Sequence, residues 1–310
     1  MGAAFPDLPS AAQGLRKDLP ADLRARTLRP AAPIPPSTVG MATDYRLRFY
    51  LGRVWPRELR AAIGAASLMW AGRTAVDIDA SDPAVWALAR TFVGVIDLPG
   101  AEHHAARFFG WLGALVEAQS PAWRRLSAED EDQLDRACVV LALYEEVYRA
   151  GMRQTSPLAS LARGADVADL LGLVPEAWVR DVAAVCGRVI DTVSFPSPRV
   201  LNPTFALSEA VGGADADLVL DRCLVELKTT VDPRLDLRWL RQVIGYVLLD
   251  LDDRYRLDSV GLLLPRQAHM AVWPLARLLD LAAGRRRPTL GALRADFAQV
   301  VASARERPRL

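Results

Sequence analysis

The spacing of apolar residues divides the chain into a helical first half and a mixed second half. Between Asp44 and about Gly172, apolar residues recur every three or four positions, which is the period of one buried helix face. Ser127 is a candidate N-cap for the last of these helices, and Gly151 follows its end. The pattern predicts helices within residues 44–72, 82–95, 101–118 and 128–150.

The second half alternates helical and strand-like segments. Residues 175–192 and 236–251 have the amphipathic spacing of helices, and further helices are expected at the C-terminus. Residues 193–205 have the composition of a loop. Strands are predicted at 214–220, 223–230, 258–266 and 268–275. This order is typical of a mixed α/β fold with a hairpin at its centre.

Proline content predicts a third region at the start of the chain. Residues 1–40 contain seven prolines, a density that disfavours long helices and paired strands. The sequence therefore predicts a flexible Pro/Ala-rich arm over 1–40, a helical domain over 41–173 and an α/β domain over 174–310.

Composition excludes several protein classes. The 310 residues are 51% hydrophobic and 24% charged, which excludes a disordered tail, a collagen-like fibre and a small disulfide scaffold. The net charge of +1 gives no overall sign of nucleic-acid or membrane binding. Three isolated cysteines, no run of about 18 apolar residues and no secretory signal pattern lead us to expect a cytoplasmic protein without a membrane partner.

One residue type is unusually rare. Of the 38 basic residues only Lys17 and Lys228 are lysines, and the rest are arginines. Lys17 lies in the proline-rich region, whereas Lys228 lies within an apolar, strand-like run. Because nearly all the other basic residues are arginines, the lysine at 228 is a candidate for a specific chemical role.

The central hairpin brings Lys228 close to two acids. If Asp221 and Arg222 form a two-residue turn, Leu220 pairs with Cys223 and Asp217 lies opposite Glu226. Directly opposed residues on one sheet face have Cβ atoms about 4.5–5.5 Å apart. In the same register Asp215 would oppose Lys228. Glu226 and Lys228, two residues apart, share a face of the strand.

This pattern has a chemical and a structural interpretation. Two facing carboxylates repel each other unless a cation lies between them, and Mg²⁺ prefers carboxylate oxygens and water. A lysine beside such an ion can orient water and stabilise charge on a phosphate. Gln242 and Tyr246, four apart on the next helix, share one face. The structural alternative is an exposed Glu–Lys ion pair and an ordinary sheet-covering helix.

The segments ADADLVL and LVELKTT, followed by QVIGY at 242–246, resemble the core of the PD-(D/E)XK nuclease superfamily and the Q-x-x-x-Y motif of its RecB-type branch. The resemblance covers about residues 175–280. It implies a restriction-endonuclease-like mixed sheet flanked by helices, preceded here by an all-α N-terminal region. One departure from the family pattern is that Ala216, not proline, precedes the aspartate.

The resemblance also implies roles for individual residues. Asp217, Glu226 and the backbone carbonyl of Leu227 would bind Mg²⁺ or Mn²⁺, and Lys228 would position or activate the attacking water. Gln242 and Tyr246 would line the site and hold the substrate or the catalytic groups. Glu209 is a candidate further metal ligand. Asp215 is a rival for the role of Asp217, which we prefer because the apolar Leu218–Leu220 follows it directly, as in the family pattern.

The expected function is metal-dependent hydrolysis of phosphodiester bonds, with DNA favoured over RNA, in phage defence (antiviral defence), DNA repair or mobile-element processing. An alternative is a catalytically silent nuclease-like module that binds nucleic acid or assembles a complex through arginine clusters such as 285–287 and Arg234, Arg238 and Arg241. The helical N-terminal domain is a candidate site for a protein partner, a role compatible with either function.

Overall fold

The computed structural model describes residues 5–52, 54–56, 59–74, 103–118, 126–162, 164–211, 213–284 and 289–306. The chain forms two compact units, one of residues 1–29 and 189–310, the other of residues 30–188. The first is an α/β unit that contains a mixed β-sheet, and the second is helical. The helix predicted over 82–95 and the arginine cluster 285–287 lie outside the described residues. Among the described residues, no helix is long and apolar enough to cross a membrane.

The helical unit contains helices in the region where the apolar spacing predicted them, although its first helix begins at Pro36 rather than at Asp44. Ser127 caps α5 as predicted, because its hydroxyl accepts a hydrogen bond from Asp130 N–H at 3.1 Å. Gly151 ends the same helix with a φ of 72°. The helices are α2 (Pro36–Leu51), α3 (Arg60–Thr74), α4 (His104–Ala118), α5 (Ala128–Ala150), α6 (Val167–Gly172) and α7 (Glu176–Thr192), whose last residues belong to the other unit.

The α/β unit is built on one five-stranded sheet. Its strands are β1 (Arg199–Leu201), β2 (Leu218–Leu220), β3 (Cys223–Leu227), β4 (Ser259–Leu264) and β5 (His269–Pro274), in that spatial order. The pair β3–β4 is parallel and the other pairs are antiparallel. A parallel pair needs a long connection, and α8 (Leu237–Leu249) provides it.

The predicted hairpin register is confirmed. Leu220 pairs with Cys223 and Leu218 with Val225, and Asp221 takes a left-handed φ of 55° in the turn. The paired strands are shorter than the predicted runs, because β2 begins only at Leu218. The stretch expected to be a loop, 193–205, contributes β1, which pairs with β2 as an edge strand.

The expected N-terminal arm is instead part of the α/β unit. Residues Leu8–Arg16 form α1, and the same unit contains α9 (Leu275–Ala283) and α10 (Leu290–Glu306). Helix α1 packs on α8 and α9. Its prolines lie before the helix or in its first turn, where a missing N–H costs no hydrogen bond. Its buried residues follow helical spacing: Leu8, Ala11, Ala12 and Leu15.

The unit boundaries also differ from the predicted domains. Helix α2 begins at Pro36, inside the expected arm, because proline is favoured at the first position of a helix. The α/β unit resumes at Val189 rather than 174, and it includes the first 29 residues.

The core of the α/β unit lies between one face of the sheet and the helices α1, α8 and α9. Strands β2 to β5 contribute residues of one face to it. The alternate residues of β2, β3 and β4, which point to the other face, are buried as well, so these strands are covered on both faces. The pairs Val219–Leu224, Leu224–Val260 and Val260–Trp273 carry this face across four strands. Glu226 follows Leu224 by two residues, so it lies on the same face, next to Leu262.

Candidate functional site

The end of β3 brings four predicted side chains into one hydrogen-bonded series. Lys228 Nζ donates to Glu226 Oε1 at 2.7 Å and to Gln242 Oε1 at 2.9 Å. Gln242 Nε2 in turn donates to the Tyr246 hydroxyl oxygen at 2.9 Å. The two residues on one face of the strand and the two on one face of the helix therefore form one connected group. This group is here called the site relay: Glu226, Lys228, Gln242 and Tyr246.

The relay is placed by the local fold. Lys228 follows β3 directly, and its backbone N–H donates to Leu263 O in the neighbouring parallel strand at 2.9 Å. Helix α8 crosses the same sheet face because its apolar residues Leu240, Val243 and Ile244 are buried in the core. Gln242 lies beside this apolar stripe and faces the end of the strand.

Burial gives the relay its electrostatic character. Glu226 is 4% exposed, and its partner Lys228 is partly buried. A buried carboxyl group is costly unless it is paired, and the hydrogen bond from Lys228 Nζ provides a partner for Glu226. The exposed Glu–Lys pair considered from sequence is therefore wrong, because this pair lies against the core.

Asp217 lies immediately before β2 and reaches the end of β3. Its Oδ2 accepts a hydrogen bond from Leu227 N–H at 2.7 Å, and this nitrogen belongs to the peptide that joins Glu226 to Leu227. Its backbone oxygen accepts from Asn202 N–H at 3.0 Å, which extends the β1–β2 pairing by one residue. The structure thus places Asp217 beside Glu226 and Leu227.

The other two acids occupy different places. Asp215 forms an isolated antiparallel bridge with Thr204 rather than a ladder position opposite Lys228. Glu209 is exposed on a 3₁₀ helix, Glu209–Val211, which contacts α10. Within the described residues the Glu209 side chain has no hydrogen bond or salt bridge, and the structure does not bring it into the relay.

Two supporting contacts were not predicted from sequence. The Tyr246 ring stacks on Phe205, with centroids 5.9 Å apart and planes 19° apart. Gln267, only 1% exposed, donates to Thr230 O at 3.0 Å in the loop that follows Lys228. In both contacts the two residues are far apart in the sequence, so the periodic spacing within one helix or strand could not predict them.

Cys223, also on β3, is a weak nucleophile at neutral pH. Burial raises the pKa of its thiol to about 11, so the reactive thiolate is scarce.

Asp217, Glu226 and the Leu227 carbonyl offer two carboxylates and one carbonyl, all hard oxygen donors of the kind that Mg²⁺ prefers. They suit such an ion by their chemistry. Among the described residues, no group of three or more His, Cys, Asp or Glu side chains is arranged to hold a metal. A site here would therefore depend on two carboxylates, the backbone oxygen and water.

Comparisons with known proteins found nothing similar: no family model matches the sequence, and no curated protein or solved structure matches it significantly.

Proposed function

We propose that this chain is a metal-dependent nuclease with a restriction-endonuclease-like domain of the PD-(D/E)XK type, RecB branch, and that it hydrolyses phosphodiester bonds in DNA in preference to RNA. The observation that carries the proposal is the position of Lys228 Nζ, within 2.9 Å of both Glu226 and Gln242 at the end of β3. The arrangement of a hairpin, a crossover helix and a parallel strand around it supports the same assignment.

Each residue has a role that follows from its position. Asp217, Glu226 and the Leu227 carbonyl would hold a Mg²⁺ or Mn²⁺ ion. When bound, such an ion supplies Lewis-acid stabilisation of the phosphate and lowers the pKa of a bound water. Lys228 would orient the attacking water and offer positive charge to the phosphate as negative charge develops on it.

Gln242 and Tyr246 act on Lys228 rather than on the substrate in this mechanism. The Gln242 amide accepts from the ammonium group through its oxygen and is itself oriented by its donation to Tyr246. A lysine has many rotamers, so two fixed acceptors lower the entropy that it loses when it positions water. Arginine would not serve here, because it lacks a compact ammonium group.

Cleavage assays with substitutions in the relay test the proposal. Wild-type protein is incubated with linear duplex DNA, single-stranded DNA and RNA in Mg²⁺, Mn²⁺ or EDTA. We expect metal-dependent cleavage, and a loss of about 10²–10³-fold in rate for Lys228→Ala and Lys228→Arg. Glu226→Gln should lose cleavage and also weaken Mn²⁺ binding measured by calorimetry.

Glu129→Gln is the matched control, because Glu129 is an exposed acid in the first turn of α5, in the helical unit. It should cleave at the wild-type rate. Absence of both cleavage and metal binding in the wild-type protein would reject the proposal, and equal cleavage by Glu226→Gln would reject the assigned site.

One observation favours a second function, a nuclease-like module that binds without cleaving. Both carboxylates are already engaged within the protein, Asp217 by Leu227 N–H and Glu226 by Lys228. An acid that serves only to hold a lysine and a backbone amide would stabilise the fold without binding metal. Nucleic-acid binding that persists unchanged in Glu226→Gln, without cleavage by either protein, would support this function.

A further inference from the structure

The near-neutral charge of the chain conceals a concentration of basic residues around the relay. Residues 16–29 contain five basic and two acidic residues, and residues 228–241 contain four basic and two acidic ones. Together the two segments have an excess of five positive charges against a net charge of +1 for the whole chain, so the remainder is at −4. Both segments belong to the α/β unit.

The structure joins these two segments. Gln267 Nε2 donates to Thr27 Oγ1 and to Thr230 O, both at 3.0 Å. Leu28 N–H donates to Arg266 O at 2.8 Å, and the Arg266 guanidinium donates to Leu28 O at 3.0 Å. The N-terminal segment is therefore fixed beside residues 229–236, here called the site loop, which connects Lys228 to α8.

A second attachment lies at the other end of the site loop. Arg16 donates through Nη2 to Leu235 O at 3.0 Å. The N-terminal segment thus contacts the site loop at Leu235 and, through Gln267, at Thr230. Its position relative to the relay is determined by hydrogen bonds at both ends of that loop.

The exposed arginines in and near the site loop are of two kinds, those that form a salt bridge and those that do not. Arg234 and Arg238, whose side chains are 75% and 81% exposed, form salt bridges with Asp232 and Asp236. Arg24 and Arg241 are also exposed, but neither side chain has a hydrogen bond or salt bridge in the part of the chain that the structure describes. Arg241 directly precedes Gln242 of the relay.

Both cations belong to segments that adjoin the site loop: Arg24 lies three residues before Thr27, and Arg241 lies in α8, which begins directly after the loop. The pKa of Asp232 is lowered, chiefly by its hydrogen bond to Arg234 and to a smaller extent by the charge of Arg24. The pKa of Asp236 is lowered, chiefly by its hydrogen bond to Arg238 and to a smaller extent by the charge of Arg241. These effects agree with the hydrogen bonds that hold the N-terminal segment at Thr230 and Leu235 of the loop.

We propose that Arg24, from the N-terminal segment, and Arg241, from α8, bind backbone phosphates of the nucleic acid beside Lys228. This inference rests on the proposed nuclease function and extends it by assigning part of the substrate surface to the first 29 residues. A guanidinium group matches phosphate geometry through paired hydrogen bonds, and it is only weakly hydrated. Arginines that form no salt bridge can bind phosphate in this way without first breaking one.

The test measures binding without metal, so that no turnover occurs. Fluorescence anisotropy with a labelled DNA duplex is recorded in EDTA over a series of salt concentrations. Removing one cation that binds a phosphate lowers the magnitude of the slope of log Kobs against log[salt] by about 0.9. We expect this change for Arg24→Gln and for Arg241→Gln, and about twice the change for the double variant. Between 1 M and 0.1 M salt, each slope change corresponds to about an eightfold loss of affinity at the lower concentration.

Arg153→Gln is the matched control, because this arginine is exposed, lies in the helical unit, and has no side-chain hydrogen bond or salt bridge among the described residues. Its slope should equal that of the wild-type protein. A double variant with the wild-type slope, an equal change of slope in Arg153→Gln, or a wild-type protein that does not bind the duplex would each overturn the inference. Cleavage by the wild-type protein in Mg²⁺, measured separately, shows whether the proposed function fails as well.

Discussion

Gly64 lies at the closest approach of two helices in the helical unit. A Cβ atom added at this position of α3 would lie 1.9 Å from the backbone oxygen of Tyr144 in α5 and 3.1 Å from Tyr148 N. These are backbone atoms, which cannot rotate away as a side chain could. We therefore expect Gly64→Ala to force the helices apart and to lower the free energy of unfolding by about 1–3 kcal/mol.

Thermal unfolding followed by circular dichroism measures this effect. Gly110→Ala is the control, since Gly110 is exposed in α4 and a Cβ there meets no atom within 4 Å. Alanine favours helix more than glycine, so Gly110→Ala should raise stability by about 0.5–1 kcal/mol. Equal effects of the two substitutions would contradict the close approach of the helices.

The Tyr246 hydroxyl has a role that can be separated from that of its ring. Tyr246→Phe keeps the stacking on Phe205 but removes the acceptor of the Gln242 amide. We expect an unchanged melting temperature and a decrease in cleavage rate of about tenfold, because Gln242 then holds Lys228 less well. The rate of single-turnover cleavage measures the effect.

Tyr255→Phe is the matched control. Its ring also contacts Phe205, but its hydroxyl donates to Thr204 O rather than to the relay. It should cleave at nearly the wild-type rate. A comparable loss in both variants would mean that support of Phe205, rather than the relay, controls the rate.

The pairs Glu226–Lys228 and Gln242–Tyr246 were predictable because their spacing is local, whereas the contact between Lys228 and Gln242 was implied only by the family resemblance. Glu226 and Lys228 share a strand face, Gln242 and Tyr246 share a helix face, and the hairpin turn fixes the register near Asp217. Glu209 could not be placed in this way. It lies in an irregular stretch between β1 and β2, where no period relates a residue to the sheet.

Two buried groups couple the helical unit to pH in opposite directions. His104 of α4 hydrogen bonds through Nδ1 with the Tyr144 hydroxyl of α5 at 3.0 Å. Burial, with a smaller effect of His103, lowers the pKa of His104 to about 4. Burial raises the pKa of Asp135 to about 6, although Arg46 opposes the rise.

The sign of each effect follows from proton binding. Between pH 6.5 and 4 the unfolded chain protonates His104 and the folded chain does not, so its stabilising effect is lost as pH falls through this range. Asp135 binds a proton more readily in the folded state, so its contribution increases as pH falls from 6. Melting temperatures between pH 7 and 4 should show the difference between wild type and His104→Asn narrowing. The difference in melting temperature between wild type and Asp135→Asn should widen as the pH falls. Melting temperatures of wild type and variant that run parallel over this pH range would contradict both assignments.

Elements with long periodic patterns were predicted within a few residues, as α5 shows, whereas α1 was missed. Its four buried residues have helical spacing, but the surrounding prolines suggested an extended arm. Proline breaks a helix only in its interior, and here Pro6 and Pro9 lie before it and in its first turn. Strand ends were predicted less well, since pairing requires a partner as well as an apolar run.

At the scale of the whole molecule, the α/β unit is formed by two separate stretches of the chain. Sequence patterns follow the chain in order, so they placed this unit within the continuous segment 174–310. The structure adds residues 1–29, because Phe5, Leu8 and Leu15 are buried in the same core as α8 and α9. Truncating one fully buried leucine typically costs about 2–5 kcal/mol, so the loss of all three side chains should exceed the stability of a small domain.

We therefore expect the fragment 174–310 not to fold by itself. Without α1, the apolar side chains of α8 and α9 that contact it would be exposed to water. The fragment should then show poorly dispersed amide signals in its NMR spectrum and should be digested rapidly by proteases. Addition of a separate peptide of residues 1–29 should restore spectral dispersion and protease resistance. The same peptide with Leu8→Asp and Leu15→Asp should not, because a carboxylate at either position would be buried without a partner. A fragment that is folded equally well without the peptide would show that the N-terminal helix is dispensable, as a flexible arm would be.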